Sequence, residues 1–412
     1  MRIGFYIHHS MLKAGGIFTY SIGILRLLLK SDHIESLVIF TTPEVKKSLR
    51  EFELNSKIEF RVLDRNSLIY KFRFGLSYFF YDIFSIYNHY SSKSKLLNFI
   101  KNISIWLNPY IKLIKRSGVS LFHVPIQYSP VYGIDVPVII TMHDLQEFHM
   151  PENFSSGERI HRAINNHKAI NCSDQIIVSF NHIKKDILRF YNVAEDKVKV
   201  SPPPFSDDWF TTKQETSWEA LKNKYSISKK YLLYPAATWK HKNHLRLLEA
   251  VKLVRDKIPD IKLICTGNKT DYYSVIEKKI YELKLEGSVK FLGIVSEEDL
   301  IGLYKNTELV VIPTLYEAGS GPLYEAMRYE VPVICANTTS LPETIVDKRF
   351  IFDPNDEISL SKLIIEMLSD EKLETENKIN SKNRMSELSE INYFENFWNV
   401  YKNLTLNKSS QS

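Results

Sequence analysis

Two series of short, apolar, β-branched runs, divided by three consecutive prolines, constrain this 412-residue chain more than any other feature. The first series comprises Ile3 to Ile7, Leu37 to Thr41, Ile58 to Val62, Leu121 to Val124, Val136 to Thr141 and Ile176 to Ser179. The second begins at Tyr231 to Tyr234 and continues with Ile261 to Thr266, Val289 to Leu292, Leu309 to Pro313, Pro332 to Ala336 and Phe350 to Phe352. Short continuous apolar runs suit strands buried on both faces, and strands alternating with helical stretches form a parallel sheet with helices on both sides. Pro202-Pro203-Pro204 forbids both helix and central strand, so the two series belong to separate units. The expected fold is α/β, with two Rossmann-like doubly wound domains, residues 1–204 and 205–390, facing one cleft. Residues 391–412 are expected to form a last helix, Tyr393 to Leu404, and a frayed tail. Such sheets bind ligands beyond the carboxyl ends of their strands, which directs attention to the strand-to-helix turns.

A chain with 44% hydrophobic and 25% charged residues is globular and long enough for two cores. Cys172, Cys265 and Cys335 form an odd, sparse set without Cys-x-x-Cys spacing, which points to a reducing compartment. The start Met1-Arg2-Ile3-Gly4-Phe5-Tyr6-Ile7 has no signal-peptide features, and the longest apolar stretch, Phe74 to Tyr87, is short and contains Asp82. A cytoplasmic protein is expected, and the sequon Asn153-Phe154-Ser155 is then a chance match.

The most informative turn is Glu317-Ala318-Gly319-Ser320-Gly321-Pro322-Leu323-Tyr324-Glu325, between the apolar run Leu309 to Pro313 and a stretch of helical periodicity. Pro322 suits the first helical position, and Ser320 or Gly321 can cap it. The unpaired amides of a helix start stabilise a phosphate or a sugar hydroxyl. Glu317 is expected on the loop beside that ligand and Glu325 in the first helical turn, within reach of a diol.

This segment, with Glu330-Val331-Pro332-Val333-Ile334 and Ser340-Leu341-Pro342-Glu343 after it, resembles the Glu-x7-Glu signature of retaining glycosyltransferases with the GT-B fold, family GT4. The resemblance implies that Glu317 contacts the donor sugar and Glu325 the ribose of a nucleotide. It also implies that the last helix crosses back to the first domain.

Other turns extend the pattern. Thr238 to His244 follows a strand and contains Lys242-Asn243, which resembles the family's Lys-Asn segment; Lys242 is expected at the diphosphate, with Lys240 or Arg246 as a second cation. Thr266-Gly267-Asn268 and Gly293-Ile294-Val295 resemble the family's base-binding loops, which leave the choice among GDP, UDP and dTDP sugars open. In the first domain, Lys13-Ala14-Gly15-Gly16-Ile17 resembles the glycine loop near the donor phosphates; it is not the Gly-x-Gly-x-x-Gly of dinucleotide enzymes. His143-Asp144 at the end of a strand resembles the acceptor-side His-Asp motif, with His143 orienting acceptor or sugar and Asp144 supporting it.

Residues 69–117 differ in kind. Eight Lys and Arg residues, Lys71, Arg73, Lys93, Lys95, Lys101, Lys112, Lys115 and Arg116, face one acid, Asp82, and are interleaved with Tyr, Phe and Trp from Tyr70 through Tyr90 to Tyr110. That composition fits an anionic membrane surface at the inner face of the cell membrane, or a core-forming helical pair with a solvated basic face. No nucleic-acid-reading motif is present.

The function expected is retaining transfer of a hexose or deoxyhexose from a nucleotide diphosphate sugar to a glycan or lipid-linked acceptor, in bacterial cell-surface polysaccharide synthesis. No cofactor is required on this reading, since the chain lacks an Asp-x-Asp metal motif in the donor region and Lys242 with the amides around Ser320 would meet the leaving charge. The alternatives are a GT-B nucleotide-sugar epimerase, a glycogen-type synthase, or a catalytically silent, membrane-attached binding subunit.

Overall fold

Each apolar run pairs in parallel with its neighbours in a computed structural model that describes all residues except 9, 12–14, 65–66, 89–93, 206–213, 229 and 410–412. Lys13, Ala14, Tyr90, Lys93 and the last residues of the tail therefore lie outside the described residues. The first sheet holds β1 (Arg2–Tyr6), β2 (Ser36–Thr41), β3 (Ile58–Val62), β4 (Leu121–Val124), β5 (Val138–Met142), β6 (Gln175–Val178) and β7 (Val198–Val200) in the order β3-β2-β1-β4-β5-β6-β7. The second holds β8 (Tyr231–Pro235), β9 (Lys262–Thr266), β10 (Val289–Phe291), β11 (Leu309–Ile312), β12 (Val333–Ala336) and β13 (Ile351–Phe352) in the order β10-β9-β8-β11-β12-β13. Central strands β4, β5, β11 and β12 are buried along their whole length, as their largely apolar sequence allows, and the two polar side chains of β4 and β5, His123 and Thr141, pair with each other.

The strand order reverses between β1 and β4 in one sheet and between β8 and β11 in the other. A crevice opens beyond the strand ends at such a reversal, so the turns after β1, β8 and β11 are placed to hold a ligand. Strand β7 was not expected: it has three residues with exposed Lys199 at its centre, and it forms the sheet edge beside β6. Gly15 and Gly16, expected in a loop, open the helix Gly15–Leu29, because the apolar spacing of Ile17, Ile24 and Leu28 continues the helix back to them. Residues 201–205, which follow β7, have no regular structure.

The C-terminal helix Tyr393–Ser409 crosses back to the first sheet. Phe397 and Tyr401 are fully buried in the core layer formed by the Gly15–Leu29 helix, β1 and β2. Phe394, Phe397, Trp398, Tyr401 and Leu404 share one helical face, and His33 stacks on Trp398 with ring centroids 4.8 Å apart. A polar pin completes the contact. His123, on buried β4, has Nδ1 2.7 Å from Tyr401 Oη and Nε2 3.1 Å from Thr141 Oγ1. Burial, aided by nearby His143, pushes the His123 pKa down to about 3, so the ring is neutral and serves as one donor and one acceptor.

This pin has a measurable cost when broken. Tyr401→Phe leaves a buried ring nitrogen unpaired and should lower stability by about 1–3 kcal/mol in urea denaturation. Because the native pKa of His123 lies below its unfolded value, its contribution is complete above about pH 6.5 and falls by about 1.4 kcal/mol per unit as the pH drops toward 3. The acid slope of stability should be shallower by that amount in His123→Gln. An unchanged slope would contradict the assignment.

Candidate active site

After β11 the chain turns through Pro313 to Ser320 and enters the helix Gly321–Arg328. Ser320 is the N-cap, with its Oγ accepting from the Leu323 N–H at 3.4 Å, and Pro322 stands in the first turn, where its missing donor is not needed. The Ser320 oxygen thus accepts from the helix, which leaves its O–H as a donor.

Glu317 is fixed from both sides. Its N–H donates to Thr339 Oγ1 at 2.9 Å, and its carbonyl accepts from Thr339 Oγ1 at 2.7 Å and Ser340 Oγ at 3.0 Å. Thr339 itself has φ of 48°, uncommon for a residue with a side chain, and these bonds help hold it there. The Glu317 carboxylate lies 2.6 Å from Lys242 Nζ, and both side chains are largely buried. Sequence placed these two residues at one ligand; the fold places them in contact.

Lys242 reaches this point because its turn is tied to the Glu317 loop. The Leu315 N–H donates to the His241 carbonyl at 2.8 Å, and Tyr234 Oη donates to the Lys242 carbonyl at 2.8 Å. Asn243, expected to touch the ligand, acts otherwise: at φ of 60° its amide donates to the carbonyls of Pro313 at 2.9 Å and Pro354 at 2.8 Å, joining three loops. Arg246 is engaged by Glu249 and Glu357, whereas Lys240 is exposed. Burial and the neighbouring Lys242 ammonium push His241 down to about 4, while Asp144 of the first domain acts in the opposite sense, which puts the cleft between them.

Gly267 and Gly293 are adjacent. The Gly267 N–H donates to the Gly293 carbonyl at 2.7 Å, and a Cβ on Gly267, whose φ is 111°, would come within 2.7 Å of the Ala236 backbone. Only glycine allows these loops to meet beside the Lys242 turn. Val295 is half-buried and packs against the core. Glu325 accepts from Tyr304 Oη at 2.8 Å, a contact from the neighbouring helix that the sequence did not reveal.

On the first-domain side, His143 follows β5. Its N–H donates to Gln127 Oε1 at 3.0 Å, its Nε2 lies 3.0 Å from the Pro125 carbonyl, and the Tyr20 ring meets it edge-on at 4.9 Å. A carbonyl only accepts, so Nε2 carries the proton. Desolvation lowers the His143 pKa against the opposing effects of the Pro125 carbonyl and Asp144, leaving a neutral imidazole with a basic Nδ1. Asp144 acts on His143 through its charge while its carboxylate is bound by Arg162, which also holds Glu147 at 2.8 Å, and Pro125 fixes the His143 tautomer. Arg162, eighteen positions after Asp144 on the helix Ser156–Cys172, carried no signal in the sequence.

A cavity of about 580 Å³ joins the two sides. Gly16, His143 and Asp144 line it from the first domain, and Gly319 and Gly321 from the second. Lys242, Glu317, Glu325, Gly267 and Gly293 lie outside its lining, with Glu317 and Lys242 next to its Ala318-Gly319 wall. The arrangement offers a capped helix start on one wall, with a cation and a carboxylate beside it, and a neutral histidine on the other wall.

Residues 218–384 match the family of glycosyl transferases group 1. Over 294 residues the chain is 27% identical to O-antigen chain mannosyltransferase B of Escherichia coli, covering 68% of this chain and 76% of that relative. A glycosyltransferase from Rickettsia africae superposes with a TM-score of 0.66 at 18% identity over 98% of both chains. The Anabaena protein HepE, solved with UDP and glucose, does so with a TM-score of 0.62 at 15% identity over the whole of both chains. The paired sheets and these likenesses converge on a glycosyltransferase with the GT-B fold, in which residues 218–384 match the model of the glycosyl transferases group 1.

Proposed function

We propose that the chain transfers a hexose, mannose on the likeness to the Escherichia coli mannosyltransferase, from a nucleotide diphosphate sugar to a glycan or lipid-linked acceptor in bacterial cell-surface polysaccharide synthesis, with retention at the anomeric carbon. The observation that carries this reading is the Glu317–Lys242 pair beside a cavity shared by both domains. The solved structure of HepE with UDP and glucose supports a nucleotide-sugar donor on this fold.

In this reading the donor diphosphate lies at Lys242 and the start of the Gly321–Arg328 helix. An ammonium has three donors, so Lys242 can hold Glu317 and a phosphate oxygen together. As the bond to the leaving diphosphate breaks, negative charge grows where the cation and the helix amides already point, which lowers the barrier electrostatically. Glu317 would contact the sugar, Glu325 the ribose, and the loops at Gly267 and Gly293 the base. His143, neutral with a basic Nδ1, would accept a hydrogen bond from a hydroxyl of sugar or acceptor. Asp144 would contribute to the wall through its pair with Arg162.

The helices Leu68–Asn88 and Lys95–Leu107 supply a second part of the proposal. Their inner faces are core: Ser77 and Ser104 both hydrogen-bond Tyr132, and Tyr70, Tyr81 and Leu97 are buried. Their outer faces leave Ile69, Phe72, Phe99 and Trp106 between 61% and 74% exposed, beside exposed Lys71 and Lys95. Among the described residues no helix is long and apolar enough to cross a membrane. Aromatic and basic side chains on one surface suit shallow, peripheral contact with anionic lipid.

Two experiments follow. A contact made in the transition state shows in turnover, and a contact made equally in ground and transition states shows in apparent affinity. Glu317→Gln should lose turnover while binding free nucleotide diphosphate, and Glu325→Gln should weaken nucleotide binding by about 1–3 kcal/mol. An active Glu317→Gln enzyme, or calorimetric affinity unchanged in Glu325→Gln, would overturn these roles. For the second part, co-sedimentation with vesicles containing anionic lipid should fall with salt, because exposed charges are screened beyond about 10 Å at 0.1 M. It should also fall in the Phe99→Ser, Trp106→Ser double variant; retention at the wild-type level would make this face purely structural.

A further inference from the structure

The helix Asn181–Phe190 starts at the carboxyl end of β6 without a side-chain cap from its own N-cap residue. Its N-cap residue is Phe180, which has no side-chain acceptor for the first amides. The second domain supplies one. Glu343, in the short helix Leu341–Ile345, accepts from the Asn181 N–H at 3.0 Å and the Asn181 side-chain amide at 2.9 Å through Oε2, and from the His182 N–H at 2.9 Å through Oε1. A carboxylate is the favourable charge at a helix start. Burial pushes the Glu343 carboxyl up, but hydrogen bonds from His182 and Asn181 outweigh it and hold the group at about 2, so the cap is ionised at any working pH.

Two nearby contacts show what this cap aligns. The Leu145 N–H donates to Tyr316 Oη at 3.2 Å, linking the loop of His143 to the residue before Glu317. The Phe180 ring, next to the capped helix, lies 3.1 Å from where a Cβ on Gly319 would stand, so the glycine lets the first domain close onto the helix-start loop. Each contact brings the first domain against the Glu317 loop.

We propose that Glu343 is a positioning residue that holds the two domains closed by capping the Asn181–Phe190 helix across the cleft. It acts through alignment of His143 with the Gly319 loop rather than by touching substrate, and the kinetic consequence rests on the glycosyl-transfer reading above. The sequence drew attention to Glu343 within Ser340-Leu341-Pro342-Glu343 but assigned it no partner, because that partner is 162 positions away in the other domain.

Three variants of the full chain test it. Glu343→Gln should lower kcat about tenfold or more, the scale of a lost charged hydrogen bond, with nucleotide diphosphate affinity unchanged. Hydrogen exchange at the amides of Asn181 and His182 should speed up in the same variant. Asn181→Asp sets a second carboxylate against Glu343 while itself favouring the helix start, so it should lower kcat without lowering the melting temperature. Combining Asn181→Asp with Glu343→Gln exchanges carboxylate and amide across the cleft and should recover much of the loss. The proposal is overturned if Glu343→Gln keeps wild-type kcat, if nucleotide affinity falls in parallel with kcat, or if the exchanged pair shows no recovery. The amide-exchange measurement needs no turnover: unchanged exchange at Asn181 and His182 overturns the cap even if the substrate assignment is wrong, and faster exchange supports it independently.

Discussion

The contact between Lys242 and Glu317 organises the second domain's face of the cleft. Two partly buried charges are each costly alone, and their mutual attraction in a desolvated setting offsets that cost only if the geometry is held. Here it is held by side chains that bond to loop backbone: Thr339 and Ser340 fix Glu317, while Tyr234 and Asn243 fix the Lys242 turn. The strand reversal between β8 and β11 explains why these two turns meet, since both leave neighbouring strands at the same sheet edge. The chemistry proposed for the site uses what this framework already concentrates there, a cation and the positive end of a helix.

The first domain contributes a wall rather than a second set of charges. His143 is neutral, oriented by Pro125 and Tyr20, and Asp144 is neutralised by Arg162. A wall of this kind is useful only if it faces the second domain at a fixed distance. The C-terminal helix, pinned by Tyr401 to His123, returns the end of the chain to the first domain, and Glu343 reaches across at the cleft itself. Their locations differ: one packs in the layer of the Gly15–Leu29 helix, the other at the start of the Asn181–Phe190 helix.

The architecture was legible because central strands buried on both faces are largely apolar, while the edge strands β3 and β10 keep their apolar residues at alternate positions around Glu59, Arg61 and Lys290. Strand β7 escaped because an edge strand of three residues tolerates Lys199 at its centre. Local chemistry narrowed the cap to Ser320 or Gly321, and the structure has Ser320, with Pro322 at the second helical position rather than the first. Where the sequence reading departed from the structure, the deciding partner was distant. Nothing near Asn243 indicates that Pro354, 111 positions on, would take its amide. Nothing near Asp144 announces Arg162, and the spacing of Gly15 and Gly16 did not show that the helical pattern extends back to include them.

The central claim, that the cleft receives a nucleotide diphosphate sugar, is tested most directly by thermal unfolding of the protein with GDP-, UDP- and dTDP-sugars in turn. A ligand that binds only the folded state at a hundred times its dissociation constant adds about 2.7 kcal/mol of stability. The account predicts a clear upward shift in melting temperature with one class of nucleotide sugar, and loss of that shift in Lys242→Met. Melting that is indifferent to every nucleotide sugar at millimolar concentration would contradict it.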